Sequence, residues 1–178
     1  MGCNIYIGKK IFDEKFFNKN LKEYIDDGYS KDDAKERAYI FSLSVKDEYL
    51  ENAPAFGEPT DYTNSRFPCY QTWHNFVNAS CIFDLFYGKN GAFKNHPGEF
   101  LITYEWLEQL NKKYKRFKMQ YKGCVASFED NAVNSDKKIY VEDGYMTVNH
   151  VLCRFEWLVF WCNYAFNNYG NDAIIYNS

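Results

Sequence analysis

Residues 148–169 constrain this chain more than any other stretch. Val148, Val151, Leu152, Phe155, Leu158, Val159, Cys162, Ala165 and Phe166 recur at helical spacing and form one stripe, while Trp157, Phe160 and Trp161 fall outside it. A helix on a protein surface covers a single apolar stripe, but one that is apolar nearly all round has to be enclosed. Two enclosures are open to it: the centre of its own domain, or an interface that pairs two copies into a homodimer through 148–169. A membrane is not a third, because Arg154, Glu156 and Asn163 interrupt the run.

The chain supplies ample material for an enclosure. Its 178 residues are 20% aromatic, each large ring buries about 150–250 Å², and a chain of this length hides roughly 70% of its unfolded surface. One domain over residues 1–178 is therefore expected, with no need of a disulfide or metal to fold. Most rings belong to the core, and a minority is available to an interface, where Tyr and Trp are enriched.

Around the long helix the period alternates between strand and helix. Residues 2–8 read as a strand and the stretch up to Asp27 as a helix that Gly28 stops. Ser30 opens a second helix with Asp32 and Asp33 in its first turn and a stripe of Ala34, Ala38 and Phe41. Residues 51–68, with Pro54, Gly57, Pro59 and Pro68, read as a long loop. A helix is expected over 69–87 and a strand over 98–103. Thr103 then caps a helix along Leu107, Leu110, Tyr114 and Phe117. A hairpin over 138–142 and 145–148 turns at Asp143-Gly144, and Ala173–Tyr176 reads as a last strand. The expected fold is α+β and mainly helical, with about five helices on a small, mostly antiparallel sheet.

Charge and motif exclude several classes. A net charge of −3 argues against non-specific nucleic-acid binding, which needs a basic excess. The basic run Lys112–Lys118 reads as the solvated face of a helix. Cys3, Cys69, Cys81, Cys124, Cys153 and Cys162 contain no C-x-x-C pair, and neither a basic n-region nor an apolar h-region opens the chain. Six reduced thiols in a cytoplasm are expected. His74, His96 and His150 lack the i, i+4 spacing that sets two imidazoles on one helix face. No nucleophile elbow, phosphate-binding glycine loop or dinucleotide fingerprint is present. No metal and no cofactor is expected.

Three fragments carry a resemblance. Met1-Gly2-Cys3-Asn4 leads into a strand; Arg66 is followed by Trp73, His74, Asn75 and Phe76; and Gly98-Glu99-Phe100 leads through Ile102 and Thr103 into Leu107-Glu108-Gln109-Leu110. In this order they resemble a group of small phage and prophage proteins of unknown function that open Met-Gly-x-Asp or Asn. The Arg-to-His gap is longer here, a Trp before the Arg is absent, and the last third of the chain has no counterpart. The resemblance implies an origin in a mobile element. The excess of Lys over Arg, with abundant Asn, Ile, Tyr and Phe, is the bias of an AT-rich genome.

Two functional readings follow. The first is an interaction protein that binds and inhibits a host protein through exposed aromatics around Tyr62, Phe67, Trp157 and Trp161. The alternative is a binding protein or enzyme for an anionic or nucleotide-like ligand. In it, Asn4, Arg66, His74 and Glu99 converge, Arg66 grips the anion at two points and His74 exchanges a proton.

Overall fold

Four short polar side chains decide where the long helices begin. The computed structural model describes residues 4–46, 48–55, 64–67 and 70–178. Asp13 accepts from the Phe16 amide to open α1 (Glu14–Asp26), and Ser30 accepts from Asp33 to open α2 (Lys31–Phe41). Thr103 accepts from Trp106 to open α5 (Tyr104–Gln120), and Thr147 accepts from His150 to open α6 (Val148–Tyr169). Each satisfies an amide that the first turn leaves without an intrahelical partner. The end of α1 is closed by Gly28 at φ 88°. There the Gly28 and Tyr29 amides return to Ile25 and Tyr24, with the Tyr24 and Tyr29 rings 5.6 Å apart.

The helix expected over 69–87 is two helices, α3 (Tyr70–Ala79) and α4 (Phe83–Phe86). The break is the same terminating motif without a glycine. Cys81 takes φ 57°, its amide bonds to Asn78 and the Ile82 amide bonds to Val77. Apolar periodicity runs through this turn, so a helical pattern alone does not reveal it.

The sheet is antiparallel. β1 (Ile5–Phe12) pairs β7 (Ala173–Asn177) along one edge, while β2 (Leu43–Val45) and β3 (Arg66–Phe67) share its other edge. β4 (Gly98–Leu101) completes the order β2-β1-β7-β4. A separate hairpin, β5 (Lys138–Val141) and β6 (Gly144–Thr147), lies one residue from its expected position. The fold is thus α+β and mainly helical.

Alternation along the strands gives the sheet two different faces. Ile5, Ile7, Phe67, Ala173, Ile175 and Phe100 face the main core with α6. Tyr6, Ile174 and Tyr176 face the other way, joining Leu43, Val45 and Tyr39 beneath α2. β1 runs on to Phe12, past the expected end at residue 8, because β2 pairs with its second half. Phe41, expected in the buried stripe of α2, is 53% exposed; only Ala34 and Ala38 of that stripe are buried.

α6 is central. Val151, Phe155, Trp157, Leu158, Trp161 and Ala165 are all enclosed within one chain. Rings surround it: Phe67 meets Trp157 at 5.5 Å, and Phe155 meets Phe76 at 6.0 Å, Tyr114 at 5.2 Å and Phe117 at 5.8 Å. A second copy is not needed to cover the helix, which removes the reason for a homodimer through 148–169. Among the described residues, no helix is long and apolar enough to cross a membrane.

The two central tryptophans differ in one respect. The Trp157 indole donates to the Asn64 carbonyl at 2.7 Å, whereas the Trp161 indole nitrogen is buried without a hydrogen-bond partner. Both substitutions to Phe remove similar volume, but only Trp157→Phe also breaks a hydrogen bond. Trp157→Phe is expected to cost about 1 kcal/mol more than Trp161→Phe in urea unfolding.

Candidate functional site

The register across the sheet creates a row of four side chains on the α2 side. Arg66 on β3 is opposite Tyr6 on β1, Tyr6 is opposite Tyr176 on β7, and Tyr176 is opposite Glu99 on β4. At one end the Arg66 guanidinium donates to Asn4 Oδ1 at 3.1 Å and lies 5.4 Å over the Tyr6 ring. Its Nε is buried without a partner. At the other end Lys10 Nζ donates to Glu99 Oε1 at 2.6 Å and to the Tyr39 hydroxyl, which itself donates to Glu99 Oε1 at 2.6 Å. Glu99 Oε2 is buried without a partner.

Asn4, Arg66 and Glu99 therefore share a face, but not a pocket. The Tyr6 and Tyr176 rings, 6.3 Å apart, lie between the cation and the carboxylate. His74 is elsewhere. Phe67 packs on Trp73 and Phe76 of α3 at 5.4 and 6.4 Å, so its strand neighbour Arg66 points away from that helix. His74 meets the Phe83 ring edge-on at 5.6 Å and lies beside the Asn78 amide. The expected convergence of Asn4, Arg66, His74 and Glu99 is corrected on this geometry: the sheet stands between His74 and the rest. Nothing in the sequence pointed to Lys10, which sheet pairing brings beside Glu99, or to Tyr39, whose distance from Glu99 closes only when α2 folds onto the sheet.

The expected aromatic face is corrected as well. Phe67, Trp157 and Trp161 have no exposed surface, and Tyr62 lies outside the described residues. The exposed aromatics are others, and two of them, Tyr140 and Tyr145, are directly opposite each other on the β5–β6 hairpin. Period-2 alternation was the signal: Ile139 and Met146 are inside, so Tyr140 and Tyr145 are outside.

Two of the described thiols are the reverse of nucleophiles. Burial pushes the Cys153 thiol up to about 12 and raises that of fully buried Cys162 well above the ordinary value, the opposite of an activated cysteine. Among the described residues, no group of three or more His, Cys, Asp or Glu side chains is arranged to hold a metal ion. In the native protein, iodoacetamide mapped by mass spectrometry is expected to label exposed Cys81 and to reach Cys162 only after denaturant is added.

The Lys10–Tyr39–Glu99 contact fixes α2 to the sheet and makes that attachment pH-dependent. Burial lowers the Lys10 pKa, but hydrogen bonds to Glu99 and Tyr39 outweigh it, so the net shift is upward from 10.5. Burial, then the hydrogen bond to Glu99, raises Tyr39 from 10.0. Both groups hold their protons more tightly when folded. Their stabilisation is complete below the unfolded values and is lost as pH rises through the folded ones. Stability should therefore fall as pH climbs above about 10, and Glu99→Gln should flatten that fall, measured as urea midpoints across the alkaline range.

Comparison with protein-family models, with curated proteins and with solved structures finds no match for this chain. Its function has to be argued from the contacts themselves.

Proposed function

We propose that this chain is an interaction protein, a small phage- or mobile-element-encoded factor that binds a host protein and inhibits it. The observation that carries this reading is the outer face of the β5–β6 hairpin. Tyr140 and Tyr145 form a cross-strand pair and are 83% and 55% exposed, and Lys138 lies 4.1 Å over the Tyr145 ring. Tyrosine gives a large, amphipathic contact area with few rotatable bonds, which is why it anchors protein interfaces.

A two-stranded hairpin is marginal by itself, but this one is held. Ile139, Val141 and Met146 pack against the main core, and Gln71 of α3 donates to Asp143 at the turn. Two rings on a braced ribbon lose little freedom on binding. The fitting partner is a protein surface with an apolar cleft rimmed by hydrogen-bonding groups. The mobile-element origin rests on the resemblance carried by Asn4, Arg66, Trp73–Phe76 and Gly98–Leu110.

The test is capture from a bacterial lysate with the tagged chain and with the Tyr140→Ser/Tyr145→Ser variant. The expected result is a host protein retained in stoichiometric amount, whose own activity falls in the complex. The variant should retain it at least about tenfold less at an unchanged thermal midpoint. Retention of no stoichiometric protein would sink the reading, and retention indifferent to the two substitutions would remove the hairpin from it.

A further inference from the structure

The sheet ends on a strand with one unpaired edge. β4 is last in the order β2-β1-β7-β4, and the Ile102 amide donates to the Ala173 carbonyl at 2.9 Å. Hydrogen-bonded pairs alternate along an antiparallel ladder. Gly98 and Phe100 therefore turn their backbone groups to β7, and those of Glu99 and Leu101 point outward. Among the described residues, no further backbone hydrogen bond reaches these outward amides and carbonyls. Leu101 is 52% exposed, so the edge is open to solvent. A groove of about 660 Å³ runs beside it, lined by Phe100 and Leu101 of the strand. Its wall holds the partly exposed rings of Phe83, Tyr87 and Trp106, with Trp106 5.0 Å from Phe100 and Phe83 5.2 Å from Tyr87. Exposed Lys89 and Lys94 stand on the same wall. The acid among the lining residues, Asp84, is neutralised by Lys113 at 2.8 Å, so the groove presents a net positive charge.

We propose that this edge docks an acidic, extended peptide of a partner protein as one more strand of the sheet. Three observations select that occupant. The outward N–H and C=O groups of Glu99 and Leu101 are spaced to pair with a backbone in strand conformation. A residue placed opposite Phe100 shares its face of the sheet, so its side chain enters the groove, where the rings favour an apolar or aromatic group. Lys89 and Lys94 favour carboxylates on the residues that flank it. A second copy fits less well, because pairing β4 with itself would bring two grooves of like charge together. The edge is separate from the tyrosine hairpin, so either proposal stands if the other fails.

The experiment is fluorescence anisotropy of a labelled peptide, Glu-Glu-Val-Phe-Val-Glu-Glu, titrated with the full chain. Laid antiparallel to β4, its two valines pair with Glu99 and Leu101 while its phenylalanine faces the groove. It should saturate a single site with Kd below about 100 µM. The same peptide with lysine for every glutamate, or with both valines N-methylated, should bind at least about tenfold more weakly. The Lys89→Glu/Lys94→Glu variant should weaken the acidic peptide by a similar factor at an unchanged thermal midpoint, since both side chains are exposed. Leu101→Pro, which removes one outward N–H from an edge strand, should weaken it as well. Failure of the acidic peptide to saturate would overturn the proposal. So would equal affinity for the lysine or the N-methylated peptide, or full affinity in the double lysine variant. A dimer mass in light scattering that Leu101→Pro returns to a monomer would also overturn it, by giving the edge to a second copy. The N-methylated peptide keeps the test decisive even if Leu101→Pro does not fold.

Discussion

Enclosing α6 is the constraint on which the rest of the structure depends. The helix offers apolar side chains in every direction, and fully burying each large one is worth about 1.5–3 kcal/mol. Nothing short of a complete surround realises that energy. The sheet covers it through Ile5, Ile7 and Ile175, while α3 and α5 add Phe76, Leu110 and Phe117 and the hairpin adds Met146. The aromatic excess of the sequence is spent here, in ring contacts that link Phe67, Trp73, Phe76 and Phe86 to the helix. Bulky rings fill a thick shell around one helix with few residues, which lets a chain of modest length close its core.

With α6 enclosed, the opposite face of the sheet is left for a thinner layer. α2 lies there with α1 packed against it, and it reaches the sheet by Tyr39, which packs beside Tyr176 and Tyr6 and clasps Lys10 and Glu99. This side is held partly by charge, and that hold responds to pH. The row Arg66–Tyr6–Tyr176–Glu99 is the visible form of that division: polar ends, aromatic middle, no shared cavity.

The proposed contact surface arises where local order leaves something over after packing is complete. The hairpin leaves two tyrosines because its inner face alone satisfies the core. They are not required by the fold, and their exposed aromatic area would carry a cost without a partner.

The sequence by itself determined the elements that local chemistry specifies. Ser30 and Thr103 announce helix starts because a short polar side chain satisfies an end amide wherever it occurs, and Gly28 announces a stop because only its backbone accepts φ 88° without strain. The full length of α6 was legible from its apolar period. Tertiary structure alone decided which way each side chain faces in a crowded core. Phe67, Trp157 and Trp161 could serve an interface or a centre on composition, and only the wrapping of the chain made them central. It also decided that His74 and Arg66 lie across the sheet from each other, that Lys10 and Tyr39 meet Glu99, and that Asn177 keeps an unpaired oxygen. Such pairings join residues dozens of positions apart, and the free energy that selects them resides in the assembled layers, not in any local segment.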